Sequence, residues 1–165
     1  MASGNRFLSR LYFGVTRMRL RLAGVVVGRG VKVSWSAILK GNIRIGDYGY
    51  IGHHSNLRGN LEIGPFFLCA DNVVLIGAEH QYNVIGAPII FADSSQQKSL
   101  QTRIGLDVWI GRNVCIRRGI TIGNCAIIGA GSVVVKDVAA GSIVAGVPAV
   151  QVAERFNATD LQRHL

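Results

Sequence analysis

The sequence predicts an all-β fold, a solenoid of short parallel strands, and three observations predict it. An apolar residue heads each block of six from Ile104 onward: Ile104, Ile110, Ile116, Ile122, Ile128, Val134 and Ala140, with Gly146 the first lapse. Glycine follows that leader at Gly105, Gly111, Gly123, Gly129 and Gly141, and the fifth position is apolar or small, from Val108 and Val114 to Val144 and Val150. The same period opens earlier, at Val27, Val33, Leu39, Ile45, Ile51, Leu57, Ile63, Cys69 and Leu75. A period of six fits neither an amphipathic helix nor a single alternating strand. It fits blocks of one short strand and one turn, stacked into coils. On this reading the leader points inward, the fifth position fills the remaining interior, and glycine lets the chain turn tightly.

Composition agrees. Hydrophobic residues make up 49% of the 165 residues and charged residues only 16%, which argues against disorder and for one domain of buried strands. Lys and Arg number 18 against 9 Asp and Glu, a net charge of +9. That surplus points to polyanionic partners: a nucleotide cofactor, an anionic membrane or nucleic acid. No nucleic-acid-binding motif accompanies it, so nucleic acid is not expected. Cys69, Cys115 and Cys125 are odd in number and form no CxxC, which argues against a disulfide scaffold or a zinc site and for reduced, buried thiols.

In chain order, residues 1–23 read as a basic amphipathic helix. Phe7, Leu8, Leu11, Tyr12, Val15, Met18 and Leu22 recur at helical steps, and Arg6, Arg10, Arg17, Arg19 and Arg21 carry charge with no acid among them. Such a helix either lies on a lipid surface or packs its stripe on the solenoid or a second subunit. Residues 24–152 form the repeat domain, whose first nine blocks make about three coils. The period breaks after Leu75, and Gly77 to Arg103 is a long insertion, polar overall, with Pro88 and the run SSQQKS. A long loop in a regular solenoid is usually functional. Residues 153–165 hold helix formers, with Val152, Phe156 and Leu161 spaced to face one way, and are expected to cap the open end of the solenoid.

The words VWIGRN, ITIG, IGAGSVVVKDV and IVAGVPA, in that order, resemble the hexapeptide-repeat acyltransferases, and among them the polysaccharide and lipopolysaccharide O-acetyltransferases. The resemblance covers roughly residues 24–152. It implies a left-handed parallel β-helix, a hand the period alone could not supply because ordinary parallel crossovers are right-handed. It implies a homotrimer with active sites between subunits, acetyl-CoA as donor and a sugar or glycan acceptor. The segment LIGAEHQYN matches the family's loop-start histidine, so His80 is the expected general base, with Glu79 as a residue that orients or polarises it. A hydroxyl with a very high pKa attacks a thioester poorly, and a neutral imidazole can take its proton as the C–O bond forms. The donor residues implied by the match are Trp109, Arg112 through its backbone, Ala130 and Gly131 in IGAGS, and Lys136 near the nucleotide phosphates.

This chain departs from the pattern in three places. Val135 stands where the family often has Thr, Val150 and Gln151 stand where basic residues follow GVPA, and Arg117 precedes Arg118 where Pro is common. Arg155 is the nearest substitute for the missing basic residues. Arg117 and Arg118 read equally as an anion contact or as surface charge. His53 and His54 form no HxxxxH pair of the kind a γ-type carbonic anhydrase uses, so no metal is expected and both read as turn residues, or as lining for an acceptor cleft. The expected activity is O-acetylation of a bacterial surface polysaccharide or its precursor, in the cytoplasm and peripherally on the inner membrane. N-acetylation of an amino sugar or antibiotic, and a non-catalytic β-helix scaffold, are the alternatives.

Overall fold

The computed structural model describes residues 18–76, 80–92 and 100–164. Its strands stack into three parallel sheets that wrap a left-handed β-helix of about six turns. The first face carries Val25–Val27, Ile43–Ile45, Asn60–Ile63, Gln101–Ile104 and Thr121–Ile122. The second carries Lys32–Val33, Tyr50–Ile51, Leu68–Cys69, Trp109–Ile110, Ile127–Ile128 and Ser142–Gly146. The third carries Ile38–Lys40, Asn56–Arg58, Val74–Leu75, Cys115–Ile116 and Val133–Val134.

The predicted leaders become three inward columns: Ile45, Ile63, Ile104 and Ile122; Ile51, Cys69, Ile110 and Ile128; Leu57, Leu75, Ile116 and Val134. All twelve are at most 4% exposed. Stacking β-branched side chains directly above one another suits the pleated strand, and each large apolar side chain so buried is worth about 1.5–3 kcal/mol. Fifth positions such as Phe67, Val73, Val108 and Ala126 close the corners of the prism at 1% exposure or less.

The glycine after each leader has a different reason from the one the sequence suggests. Gly28, Gly46, Gly64, Gly105 and Gly123 do not occupy the left-handed region. A Cβ on Gly64 would lie 2.6 Å from the carbonyl carbon of Gly105, and one on Gly46 would lie 2.6 Å from the Pro65 nitrogen. These positions are where one coil rides on the next, and only a bare Cα fits. The left-handed turn falls two residues later, at Gly30, Tyr48, Phe66, Asp107, Cys125 and Gly141, most of them not glycine. Gly64→Ala should therefore lower stability by about 1–3 kcal/mol through overpacking. Urea unfolding at constant m-value measures it, and a loss below 0.5 kcal/mol (an order-of-magnitude threshold for ordinary surface changes) would refute the close-approach explanation.

The last coil is shorter than the repeat predicts. Ile45 pairs with Ile63, 18 residues on, as the in-register side-chain bond of Arg29 to Asp47 also spans 18. Higher up, Ile122 pairs with Val138 and Ile128 with Val144, and Thr121 bonds Asp137 across only 16 residues. The inward role passes from the leader to the fifth position, so Val138 and Val144 are buried while Ala140 and Gly146 face solvent. The pattern then ends in an antiparallel strand, Ala149–Glu154, against Ser142–Gly146. Val150 and Val152 on it are each 61% exposed, so Val150 does not fill the interior as a repeat position would.

The C-terminal helix spans Ala158–His164 and runs along an edge instead of closing the open end. Asn157 caps it by accepting the Asp160 N–H at 2.9 Å. Leu161 fills the space over Gly141 in the top coil, and His164 Nε2 reaches Asp107 Oδ2 at 2.8 Å lower down. Its position follows from that acid and that gap, which no local signal announces.

At the other end, residues 18–22 are helical. Leu20, outside the predicted stripe, enters the core at 3% exposure, and Arg19 donates to the carbonyls of Trp35 at 2.7 Å and Ala37 at 3.4 Å. Met18 and Leu22, which belong to the stripe, are 63% and 84% exposed. The rest of the predicted stripe lies outside the described residues.

Candidate functional site

The insertion interrupts the corner between the third and first faces. Ile63 pairs not with the residue 18 positions on but with Ile104 in the next coil, and Leu75 likewise with Ile116. The loop leaves on Ile76, whose N–H bonds Ile116 O at 3.0 Å, and returns at Leu100, which packs against Gly119. His80 stands exposed near its start. Glu79 lies outside the described residues. The described part of the loop differs from the polar stretch expected: Tyr82, Ile85, Ile90 and Phe91 are 82, 100, 78 and 77% exposed, and Ile89–Phe91 forms a 3-10 turn after Pro88.

Across the third face, the corner with the second face carries the IGAGS segment. Gly129 is small because a Cβ would lie 3.0 Å from the Ala145 Cβ. Gly131 sits at φ +72°, and its missing Cβ would meet nothing within 4 Å. Ser132 is fully buried and fixes the turn: its Oγ donates to Gly129 O at 2.6 Å and accepts the Gly146 N–H at 3.1 Å. The result is an exposed Ala130 whose backbone has no hydrogen-bond partner among the described residues. An unpaired N–H and C=O beside a bare Gly131 can each form one hydrogen bond to an outside amide. Arg112 lies one coil below, and its carbonyl takes the Gly131 N–H at 2.8 Å. Lys136 is exposed on the opposite rim of the same face, at the insertion corner.

The structure thus brings Arg112, Ala130, Gly131 and Lys136 to the two rims of one face, and His80 lies four residues beyond Ile76, on the loop that leaves the insertion rim. The floor between them is the outward column Val74, Cys115 and Val133. Trp109 lies on the adjacent second face, 48% exposed, in register with Leu68 and Ile127. Arg155 does not join them. It sits at the corner of the first and second faces, pairs with Asp107 at 2.8 Å, and donates to Asp107 O at 3.2 Å. Its guanidinium also covers the Phe156 ring at 4.8 Å. The expectation of Arg155 as a phosphate ligand rested on chain distance, and the fold turns the residue to another edge to hold the C-terminal helix.

His53 and His54 are turn residues in coil two. His54 adopts φ +56°, and His53 Nδ1 lies 3.1 Å from Ser36 Oγ. Among the described residues, one trio has metal-ligand chemistry, Asp107, Cys125 and His164, with donor atoms within 4.8 Å of one another. Asp107 already neutralises Arg155 and bonds His164, so the trio reads as the clasp of the helix. Burial pushes the Cys69 thiol up to about 12 and raises Cys115 and Cys125 as well, so none of the three is a ready thiolate nucleophile.

Residues 101–136 match the family model described as bacterial transferase hexapeptide (six repeats). A probable macrolide acetyltransferase of Lysinibacillus sphaericus is 38% identical over 124 residues, 67% of this chain and 69% of that protein. The chain belongs to the hexapeptide-repeat acyltransferase family. Galactoside O-acetyltransferase of Escherichia coli K12 is 36% identical over 111 residues, 65% of this chain. The chain spans 51% of that relative's length, about half. A hexapeptide-repeat acetyltransferase of Vibrio cholerae, solved with acetyl coenzyme A, superposes with a TM-score of 0.73 at 25% identity, over 86% of this chain and 76% of that one.

Proposed function

We propose that this protein transfers an acetyl group from acetyl-CoA to a sugar hydroxyl of a bacterial surface polysaccharide or its precursor. The observation that carries the reading is the third face, with an exposed histidine on the loop that leaves one rim and the unpaired backbone of Ala130 on the other. His80 accepts the hydroxyl proton as the oxygen attacks the thioester carbonyl, and coenzyme A leaves as the thiol. Attack is direct, in keeping with three cysteines held protonated. The pantetheine arm runs past Ala130 and Gly131, beside Arg112 and Trp109, and Lys136 faces the nucleotide phosphates. Release of free thiol from acetyl-CoA, followed with Ellman's reagent against a panel of sugars, tests the reading. No thiol release with any acceptor would leave a scaffold. The macrolide relative favours a second acceptor class, an antibiotic, and the same panel with macrolides and amino sugars separates O- from N-transfer.

The site is completed by neighbouring copies in a homotrimer. The exposed apolar side chains of the insertion support this, because isolated chains rarely leave such clusters in water. Phe91→Asp with Ile90→Asp should release monomers on light scattering and reduce turnover at least tenfold, roughly the loss of one well-placed positioning contact. A fully active monomer would refute the shared site.

The N-terminal segment extends the reading to the inner face of the membrane. Exposed Met18 and Leu22 continue a stripe that Leu20 leaves free, and basic residues near an anionic leaflet each add about 1 kcal/mol. Among the described residues, no helix is long and apolar enough to cross a membrane. The full chain should co-sediment with anionic vesicles at low salt, and a chain starting at Met18 should not. Equal pelleting of the two would remove the proposal.

A further inference from the structure

We infer that a diphosphate-bearing acceptor binds a cationic ladder at the corner of the third and first faces, with Lys40 and Arg58 as its anchors. The inference rests on the acetyl-transfer reading only in calling the ligand an acceptor. Two neighbouring coils carry the same word there, Lys40-Gly41-Asn42 and Arg58-Gly59-Asn60. Lys40 and Arg58 are direct partners in parallel register, both exposed and both pointing out of the prism. The next cation in that column is Arg117, which follows Ile116 as Arg58 follows Leu57 through the pairing of both with Leu75.

Like charges side by side on adjacent strands destabilise a sheet, and here no described residue offsets them. Lys40, Arg58, Arg117 and Lys136 form no ion pair with any described residue. Arg58 bonds only the neutral Asn56, Nε to Oδ1 at 2.8 Å. The first face handles the same problem differently. Its outward column reads Arg44, Glu62, Arg103, alternating in sign, with Arg103 and Glu62 3.8 Å apart. A chain that alternates charge on one face and stacks cations at the adjoining corner has an anion to meet at that corner.

Spacing selects the anion. Adjacent coils lie about 4.8 Å apart, which seats two neighbouring phosphates better than one carboxylate. Gly41 and Gly59, both at positive φ, stack closely at the corner, where Lys40 O accepts the Gly59 N–H at 3.0 Å and holds the two coils in register. Asn42 donates its amide to Asn60 Oδ1 at 3.0 Å, which leaves the Asn60 amide N–H to the ligand. The pair lies one coil below the exit of the His80 loop, while Ala130, Gly131 and Lys136 lie above it. A sugar joined to its carrier by a diphosphate would then reach from Lys40 and Arg58 toward His80.

Calorimetric titration of inorganic pyrophosphate into protein saturated with coenzyme A tests the site apart from the donor phosphates. Wild type should bind, Lys40→Glu with Arg58→Glu should weaken binding at least tenfold, and Arg44→Glu on the first face should change it less than twofold. If the charge-reversed pair fails to fold, Lys40→Gln with Arg58→Gln carries the same expectation. No pyrophosphate binding with coenzyme A bound, or equal binding by the variants, overturns the site. Uridine diphosphate and farnesyl diphosphate in detergent then distinguish a nucleotide carrier from a lipid one. Either binding more tightly than pyrophosphate supports the site and names its source; neither doing so overturns it as a carrier site. Failure of coenzyme A to bind while pyrophosphate still does would sink the donor reading and leave this one standing.

Discussion

His80→Ala should leave acetyl-CoA binding within twofold of the parent and lower turnover by about 10²–10⁴, the span of general-base removal, or about 3–5 kcal/mol of barrier. The side chain is exposed and stands on a loop, so its loss opens no cavity and the melting temperature should not move. That separation makes the experiment decisive. A structural histidine would change stability and leave turnover alone, whereas a base changes turnover alone. His80→Gln keeps the volume and one donor but cannot take a proton, so it should fall with the alanine variant. Steady-state kinetics with saturating acetyl-CoA measure the loss in kcat. A variant within threefold of the parent would move the base elsewhere, with His53 next, since its Nδ1 already faces a hydroxyl at Ser36.

Ala130→Trp should raise the dissociation constant for coenzyme A at least tenfold, about 1.4 kcal/mol or more, with the fold intact. Ala130 is exposed, and the buried elements of its turn are Ser132 and the coil contact of Gly129. An indole there points into solvent or into the groove, never into the core. Its bulk covers the unpaired backbone of that turn, so a pantetheine amide loses its partners. Calorimetry with coenzyme A reads the change directly. Unchanged affinity would place the donor on another face, with Trp109 and the second-face column Leu68 and Ile127 the nearest alternative. Lys136→Ala should be milder, since an exposed phosphate contact contributes far less than an occluded groove.

Much of this was legible in the chain itself. The six-residue period named the inward residues of three columns, because a solenoid repeats one environment and so repeats one residue type. IGAGS stood out through the family resemblance, and only the structure shows how Ser132 ties that turn down beneath Gly131. The sequence by itself determined a β-solenoid with an interrupted corner, a histidine at the interruption, and a basic surface. Only the tertiary structure decided what lies beside what. Chain distance put Arg155 with Lys136, yet a prism has three corners, and the pull of Asp107 turned Arg155 to the wrong one for a donor contact. The leaders Ala140 and Gly146 lost their inward role because the top coil is two residues short, a change of phase that no single block reveals. The glycines after each leader looked like turn residues and proved to be points of contact between coils. Lys40 and Arg58 are ordinary surface cations in one dimension, and the 18-residue rise of the helix makes them neighbours. Period is a property of the chain, but the stacking of coils creates the contacts, and those contacts decide which side chains become neighbours.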